Sequence, residues 1–264
     1  MEGRVARIAI APVKALHVVE KDEVELAFTG VAGDRRFWMV DADGRLVNDK
    51  RHPQLLRLRA EWDEATRALG LEFPDGRLVA GVVELGEPVE AEMYGQPHAS
   101  RAVVGPWQEA LSEYAGEPVT FLWSERGAVD RGVGGGAVTV ISRASMDRLG
   151  REAGAAGAVD GRRFRMLFEI DGVGEHEEDE WFGQRVAIGG AVVAPVGDVG
   201  RCVVTTKNPD TGETDIDTLK TLADYRREGR TEPLPFGIHA AVVQPGSVRV
   251  GDAVRVLERD PVVA

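Results

Sequence analysis

The chain has one cysteine among its 264 residues, Cys202. A single thiol excludes an internal disulfide, and it excludes cysteine-built zinc or iron–sulfur centres within this chain. Lysine is scarce as well, five against 27 arginines, a ratio that high-GC codon usage explains as well as chemistry does. No apolar run approaches the roughly 18–20 residues that span a bilayer. The N-terminus, Met1 to Val13, carries Glu2, Arg4 and Arg7 in place of a signal-peptide core. These gaps predict a cytoplasmic protein without a membrane segment. The histidines at 17, 52, 98, 176 and 239 include no i, i+4 pair, which argues against a histidine metal site. There is no GxGxxG fingerprint, and no GK[ST] follows Gly132–Gly136, so neither a nicotinamide site nor a phosphate loop is expected. If such a chain moves electrons, they must come from another protein.

What is present is ordinary in amount and acidic in balance. Hydrophobic residues make up 43%, enough for one large or two modest folded domains. Forty-four acidic against 32 basic side chains leave a formal charge of −12. That surface repels phosphate backbones, so nucleic acid is not an expected partner.

Strand signals dominate the first ninety-odd residues. Arg4–Val13 is apolar and β-branched, Arg36–Val40 and Leu55–Trp62 alternate, and Leu69–Phe73 and Leu78–Val83 flank Asp75-Gly76. Asp41-Ala42-Asp43-Gly44 reads as a hairpin turn. Helical spacing follows, with Pro106 at a first helical position and Trp107, Leu111 and Tyr114 on one face. A second helix is expected from Ser142 to Gly154, and a third opening at Asp215. Strands are expected at Ala137–Ile141, Phe164–Ile170 and Val186–Ala194, with a closing hairpin over Ser247–Leu257. Gly95, Pro97, Gly105 and Pro106 mark a boundary near residues 95–105.

Cys202 lies in Gly200-Arg201-Cys202-Val203-Val204-Thr205-Thr206, just before the turn-forming Asn208-Pro209-Asp210-Thr211-Gly212. A thiolate is both nucleophile and soft metal ligand, and Arg201 with nearby backbone donors is expected to favour it. The plainer reading is a small buried hydrophobe; the loop setting argues against it. Arg35 alternates with Phe37 and Met39, and Arg36 with Trp38 and Val40, so only one arginine of the pair can face a given pocket. Ser142 reads either as a helix N-cap or as a ligand contact. Glu175–Glu180 reads as a solvated acidic loop, or more sharply as a docking patch for a basic electron donor.

Several motifs occur in a fixed order. They are Pro12-Val13-Lys14, Gly33-Asp34-Arg35-Arg36-Phe37-Trp38, Ile141-Ser142 with Ser145-Met146, and Arg163-Phe164-Arg165. Glu178-Asp179-Glu180-Trp181, the Arg201-Cys202 to Gly212 segment and Gly251-Asp252 complete the series. The series resembles the MOSC family, related to the C-terminal domain of molybdenum-cofactor sulfurase. Within it, the chain is similar to the amidoxime-reducing branch and its bacterial relatives, which add an N-terminal β-barrel domain. The resemblance implies a mainly β fold with a few helices (α+β): an N-terminal β-barrel-like domain over 1–98 and a MOSC β-barrel domain over 99–264. It implies molybdenum cofactor (molybdopterin with Mo), with Cys202 as metal ligand and catalytic group. It implies Lys14, Arg35, Asn48, Lys50, Ser142, Arg165 and Arg201 around that anionic cofactor.

The activity implied by the resemblance is reduction of N-hydroxylated or N-oxygenated small molecules, with electrons from a separate ferredoxin- or flavin-type reductase. The alternative, of another class, is a non-catalytic carrier of the cofactor or of persulfide sulfur. The sequence departs from the family pattern in places. Met166 and Leu167 stand where relatives carry Pro-Asn, and Gly134-Gly135-Gly136 replaces an acidic residue and a small hydroxyl. Asn48 and Lys50 occupy positions where Thr and Arg are common.

Overall fold

The computed structural model describes residues 2–130 and 136–257. The first half comprises β1 (Gly3–Ile10), β2 (Val19–Lys21), β3 (Glu23–Ala27), β4 (Gly30–Val31), β5 (Phe37–Asp41), β6 (Arg59–Asp63), β7 (Ala68–Glu72) and β8 (Leu78–Val82). Then come β9 (Glu84–Met93), β10 (Gln96–Val104), α1 (Trp107–Ala115) and β11 (Val119–Ser124). The second half contains β12 (Val138–Ser142), α2 (Arg143–Glu152), β13 (Phe168–Asp171), β14 (Arg185–Ile188) and β15 (Ala191–Gly200). It ends with α3 (Thr218–Tyr225), β16 (Pro235–Gln244), β17 (Gly246–Arg249) and β18 (Ala253–Leu257).

Seven strands close into a barrel in the order β13-β12-β16-β15-β14-β18-β1, and β1 returns to β13. The expected mainly β fold with few helices is what the chain adopts. Closure removes the exposed strand edges that would otherwise recruit another chain. The interior is aliphatic, with Ile8, Val138, Val140, Ile170, Ile188 and Ile238 all nearly sealed from solvent. Each such side chain stabilises the fold by about 1.5–3 kcal/mol. The parallel pairing of β12 and β13 requires a crossover, which α2 provides.

The second unit packs the sheet β5-β11-β10-β9 with the meander β6-β7-β8 and α1. Strand β5 is buried on both faces. Phe37 and Met39 enter the core shared with Trp107 and Phe121, while Trp38 and Val40 enter a smaller cluster with Leu122. Chain order and spatial order differ here: β1 belongs to the barrel, β2 pairs with β1, and Val24 and Leu26 of β3 enter the barrel core, whereas β5 to β11 build the second unit. Hydrogen bonding also continues across residue 98, which lies inside β10 between β9 and β11; this sheet runs on to Ser124.

Some expected elements take other forms. Leu55–Trp62 is a 3-10 turn (Pro53–Arg57) followed by β6, since Pro53 presets the turn. Val186–Ala194 is two strands, reversed at Gly189 and Gly190 where added Cβ atoms would strike Ser247 and Asp252. The third helix starts after Asp217, whose carboxylate accepts from Lys220 N at 3.0 Å, while Asp215 turns to Arg163. The expected closing hairpin does not form: β17 pairs with β3, and β18 pairs with β14 and β1.

Candidate cofactor site

Cys202 follows the end of β15 and caps a 3-10 turn at Val203–Thr206. Its carbonyl accepts from Thr205 N and Oγ1, both at 3.0 Å. Asn208 Oδ1 accepts from Asp210 N at 2.9 Å, forming an Asx turn. Gly212, at φ +77°, passes so close to Pro53 that no Cβ fits. This bonding fixes the loop and leaves the Cys202 side chain free and exposed.

The thiol opens onto a cleft of about 660 Å³ lined by both units. Six cationic residues among those described line it: Lys14, Arg35, Lys50, Arg163, Arg165 and Arg201. Four acids face them: Asp49, Asp130, Asp198 and Glu232. Burial draws the Lys14 ammonium down, but its ion pair with Asp130 and the nearby Tyr94 together outweigh that, and the net direction is up. Arg35 Nη1 donates to both Asp34 oxygens, at 2.8 and 2.7 Å, and Nη2 donates to the Arg165 carbonyl at 2.9 Å. Arg165 gives Nη1 to the Leu16 carbonyl at 2.7 Å. Burial holds Arg165 below the usual guanidinium range; Asp49 opposes this and Arg35 adds to it.

The backbone around the cleft is strained. Seven non-glycine residues among those described have positive φ, and Ala15, Arg35, Tyr94 and Arg165 of these line this cleft. Each left-handed residue costs on the order of 1–2 kcal/mol. Concentrated strain of this kind is typical of ligand sites. It also revises the expected strand geometry. Arg35 reaches the cleft because it sits at φ +49° just before β5, and Arg36 stacks over Trp123 with 4.1 Å from guanidinium to ring. Arg165, at φ +54°, follows a 3-10 turn (Gly161–Phe164), so the expected strand begins only at Phe168.

Three expected site residues are placed differently from those above. Arg201 lines the cleft, but it donates to the Phe236 carbonyl (Nε, 2.9 Å), the Phe164 carbonyl (Nη1, 3.0 Å) and the Met166 sulfur (3.0 Å). Its visible work is to tie the cysteine loop to the Phe164–Met166 segment. Asn48 lines a neighbouring cavity, and its Oδ1 accepts from Lys50 N and Arg51 N at 3.0 and 3.2 Å. Ser142 is fully buried and caps α2: Oγ accepts from Ser145 N at 3.0 Å and donates to the Gly174 carbonyl at 3.1 Å.

The substituted positions have clear structural uses. Met166 accepts from Arg201, and Leu167 belongs to the barrel core. Gly136 lines the cleft, whereas Gly134 and Gly135 lie outside the described residues. The acidic run is not a solvated loop. Glu178 is fully buried, accepting from Ser142 N at 3.2 Å and Ser145 Oγ at 3.1 Å, and burial raises its carboxyl to about 7. Asp179 is bonded to Arg226 at 2.6 Å, and Glu175 is paired with Arg148 and Arg151.

Sequence reasoning missed Thr139, His239, Tyr94, Asp130 and Arg163 as cleft residues. Tyr94-Gly95 at a hairpin tip gave a turn signal only. Arg163 lay in a quoted motif, two positions from Arg165, but was assigned no role.

Two joined β units thus share a cationic, strained cleft with one exposed thiol at its wall. Residues 129–255 match the MOSC domain and residues 2–99 the MOSC N-terminal beta barrel domain, and the chain belongs to this family. The mitochondrial amidoxime-reducing component 1 of Mus musculus is 27% identical over 284 residues, covering 97% of this chain and 82% of that protein. Molybdenum cofactor sulfurase of Oryza sativa subsp. japonica is 25% identical over 84% of this chain, which spans 30% of that protein. The crystal structure of the YuaD protein from Bacillus subtilis has 12% identity and a TM-score of 0.48, covering 97% of this chain and 96% of that one.

Proposed function

We propose that the cleft holds a molybdenum cofactor and that the protein reduces N-hydroxylated or N-oxygenated small molecules. The observation that carries this reading is the convergence of Lys14, Arg35, Lys50, Arg163, Arg165 and the exposed Cys202 on one cavity in a protein of net charge −12. A pterin dithiolene with a terminal phosphate needs such donors. Arg163 keeps two buried guanidinium nitrogens, Nε and Nη1, without hydrogen-bond partners, and an anionic ligand fits that deficit. Among the described residues no group of three His, Cys, Asp or Glu side chains could hold a metal, so its other ligands must arrive with the cofactor.

In this reading Cys202 offers the thiolate, a soft donor suited to molybdenum. Lys14, Arg35, Lys50 and Arg165 bind the anionic cofactor. Arg201, Asn48 and Ser142 act at one remove, holding respectively the cysteine loop, the Lys50 loop and α2. The bound cofactor supplies the redox chemistry. Overall, two electrons and two protons convert an N–OH group into N–H and water. The electrons come from a separate ferredoxin- or flavin-type reductase, because the chain carries no dinucleotide fingerprint. No helix among the described residues is long and apolar enough to cross a membrane. The reading places the protein in the cytoplasm, where a lone thiol stays reduced; the mouse relative is named as mitochondrial.

A carrier of cofactor or persulfide is the second reading, favoured by the exposure of Cys202 to a delivering or accepting partner. Turnover separates the two. Protein from a host with intact cofactor synthesis is supplied with an amidoxime and a chemical electron donor. The reductase reading expects stoichiometric molybdenum, turnover with that donor and none with NADPH alone. Bound molybdenum without turnover from any donor leaves the carrier.

A further inference from the structure

Arg163 is a cleft cation with two buried nitrogens that lack hydrogen-bond partners. Its 3-10 turn is held by Asp160, whose Oδ1 accepts from Arg162 N at 2.9 Å, and by Gly161, where a Cβ would run into Glu169 and Met146. The side chain is only 4% exposed. Asp215 Oδ2 accepts from its Nη2 at 2.6 Å and from Asn208 Nδ2 at 3.0 Å, which orients the guanidinium. Nε and Nη1 remain buried with no hydrogen-bond partner. Unmade bonds of a buried charge carry a full desolvation penalty, so native structures satisfy them with a ligand or ordered water. Arg163 borders two spaces. One is the main cleft; the other is a pocket of about 10 Å³, the size of one water, shared with Arg162, Arg165 and Lys207. Besides those cations the small pocket is walled by His17, Val18, Leu56, Val204 and Pro209, with no carboxylate to accept from a water, so an oxyanion in the main cleft suits Arg163 better.

We propose that Arg163 is an oxyanion-binding residue of the cleft, donating from Nε and Nη1 to the oxygens of a phosphate group. This rests on the reading above, under which the phosphate is the terminal one of the cofactor. Asp215 is the positioning residue. Accepting from both Arg163 and Asn208, it couples the phosphate site to the loop that presents Cys202. The anion that occupies the cleft therefore also steadies the thiol's loop.

Full-length protein from a host that cannot make the cofactor is titrated calorimetrically with inorganic phosphate, with chloride at matched ionic strength as control. Arg163→Met should weaken phosphate binding at least about tenfold, as expected for loss of charge-assisted bonds. Asp215→Asn keeps both donors but loosens the carboxylate that orients them, and should weaken binding less, by about threefold. Unchanged binding in Arg163→Met, equal losses in both variants, or a wild type that ignores phosphate would overturn the proposal. If Arg163→Met does not fold, Arg163→Lys decides: wild-type affinity there overturns it, and a loss supports it. A second arm measures pterin content after expression with intact cofactor synthesis. Pterin lost with phosphate binding supports the cofactor as source; pterin retained overturns that assignment in favour of free phosphate. If wild type holds no pterin at all, the proposed function fails, while the phosphate titration still decides Arg163.

Discussion

Two clusters of buried charge differ in what completes them. Around the cleft, Lys14 and Arg35 pair with Asp130 and Asp34, Arg163 keeps two nitrogens unpartnered beside its bond to Asp215, and the group opens onto about 660 Å³ of space. Behind α2, Glu178 is met by Ser142 N and Ser145 Oγ, and none of these three residues lines the cleft. Both clusters coincide with sequence motifs. Burial of charge alone therefore does not mark a binding site; unsatisfied charge beside open volume does. Backbone strain follows the same division, with four left-handed residues at the cleft and His176 alone in the sealed cluster.

Substitutions can break this contrast. The largest expected effect is from Arg35→Ala, which strands the buried Asp34 carboxylate and should destabilise the protein by about 3–5 kcal/mol in chemical denaturation. Arg35 thus serves both fold and cleft. Next is Glu178→Gln. An ordinary glutamate here would ionise near 4.5, but the folded state keeps its proton to about 7. Wild-type stability contributed by Glu178 is thus full below about 4.5 and declines as pH rises through about 7, a loss of about 3 kcal/mol. His176, held down to about 3 by burial and by Arg226 and Arg148, has the opposite sign, with stability falling as pH drops from about 6.5 towards 3. The variant-minus-wild-type difference in unfolding free energy isolates Glu178; a difference independent of pH from 4 to 8 would refute its buried protonation.

Arg165→Ala should lower cofactor retention by about 1.5–3 kcal/mol per bond lost, with a smaller change in apo-protein stability. Equilibrium dialysis of pterin together with a melting curve checks both. The smallest effect is expected from Ser142→Ala: about 1 kcal/mol of stability for a lost N-cap, with cofactor content unchanged. A depleted cofactor in that variant would restore Ser142 to the binding residues.

The sequence showed what depends on local periodicity. The strand-like runs Leu69–Phe73 and Leu78–Val83, and the Trp107-Leu111 spacing of α1, reappear in the structure with bounds shifted by a residue or so. Features set by distant partners were not legible. Glu178 sits in a run of acids and is buried only because Ser142 and Ser145, over thirty positions away, bond it. The left-handed turns at Arg35 and Arg165 carry no glycine to announce them. For the proposed site, family motifs pointed to Cys202 and most of the cations that line the cleft, but the unsatisfied nitrogens of Arg163 emerge only when Asp215 is seen to hold its third.

The most direct measurement is the molar ratio of molybdenum and pterin to protein in wild type and in Cys202→Ser, both purified from a host with intact cofactor synthesis. With the thiolate as metal ligand and the cations as the anion site, wild type should hold close to one of each per chain. The serine variant should lose its molybdenum or all its reductase activity, because an alkoxide is a poor substitute for a soft thiolate donor. A Cys202→Ser protein with wild-type molybdenum and wild-type turnover would contradict the assignment.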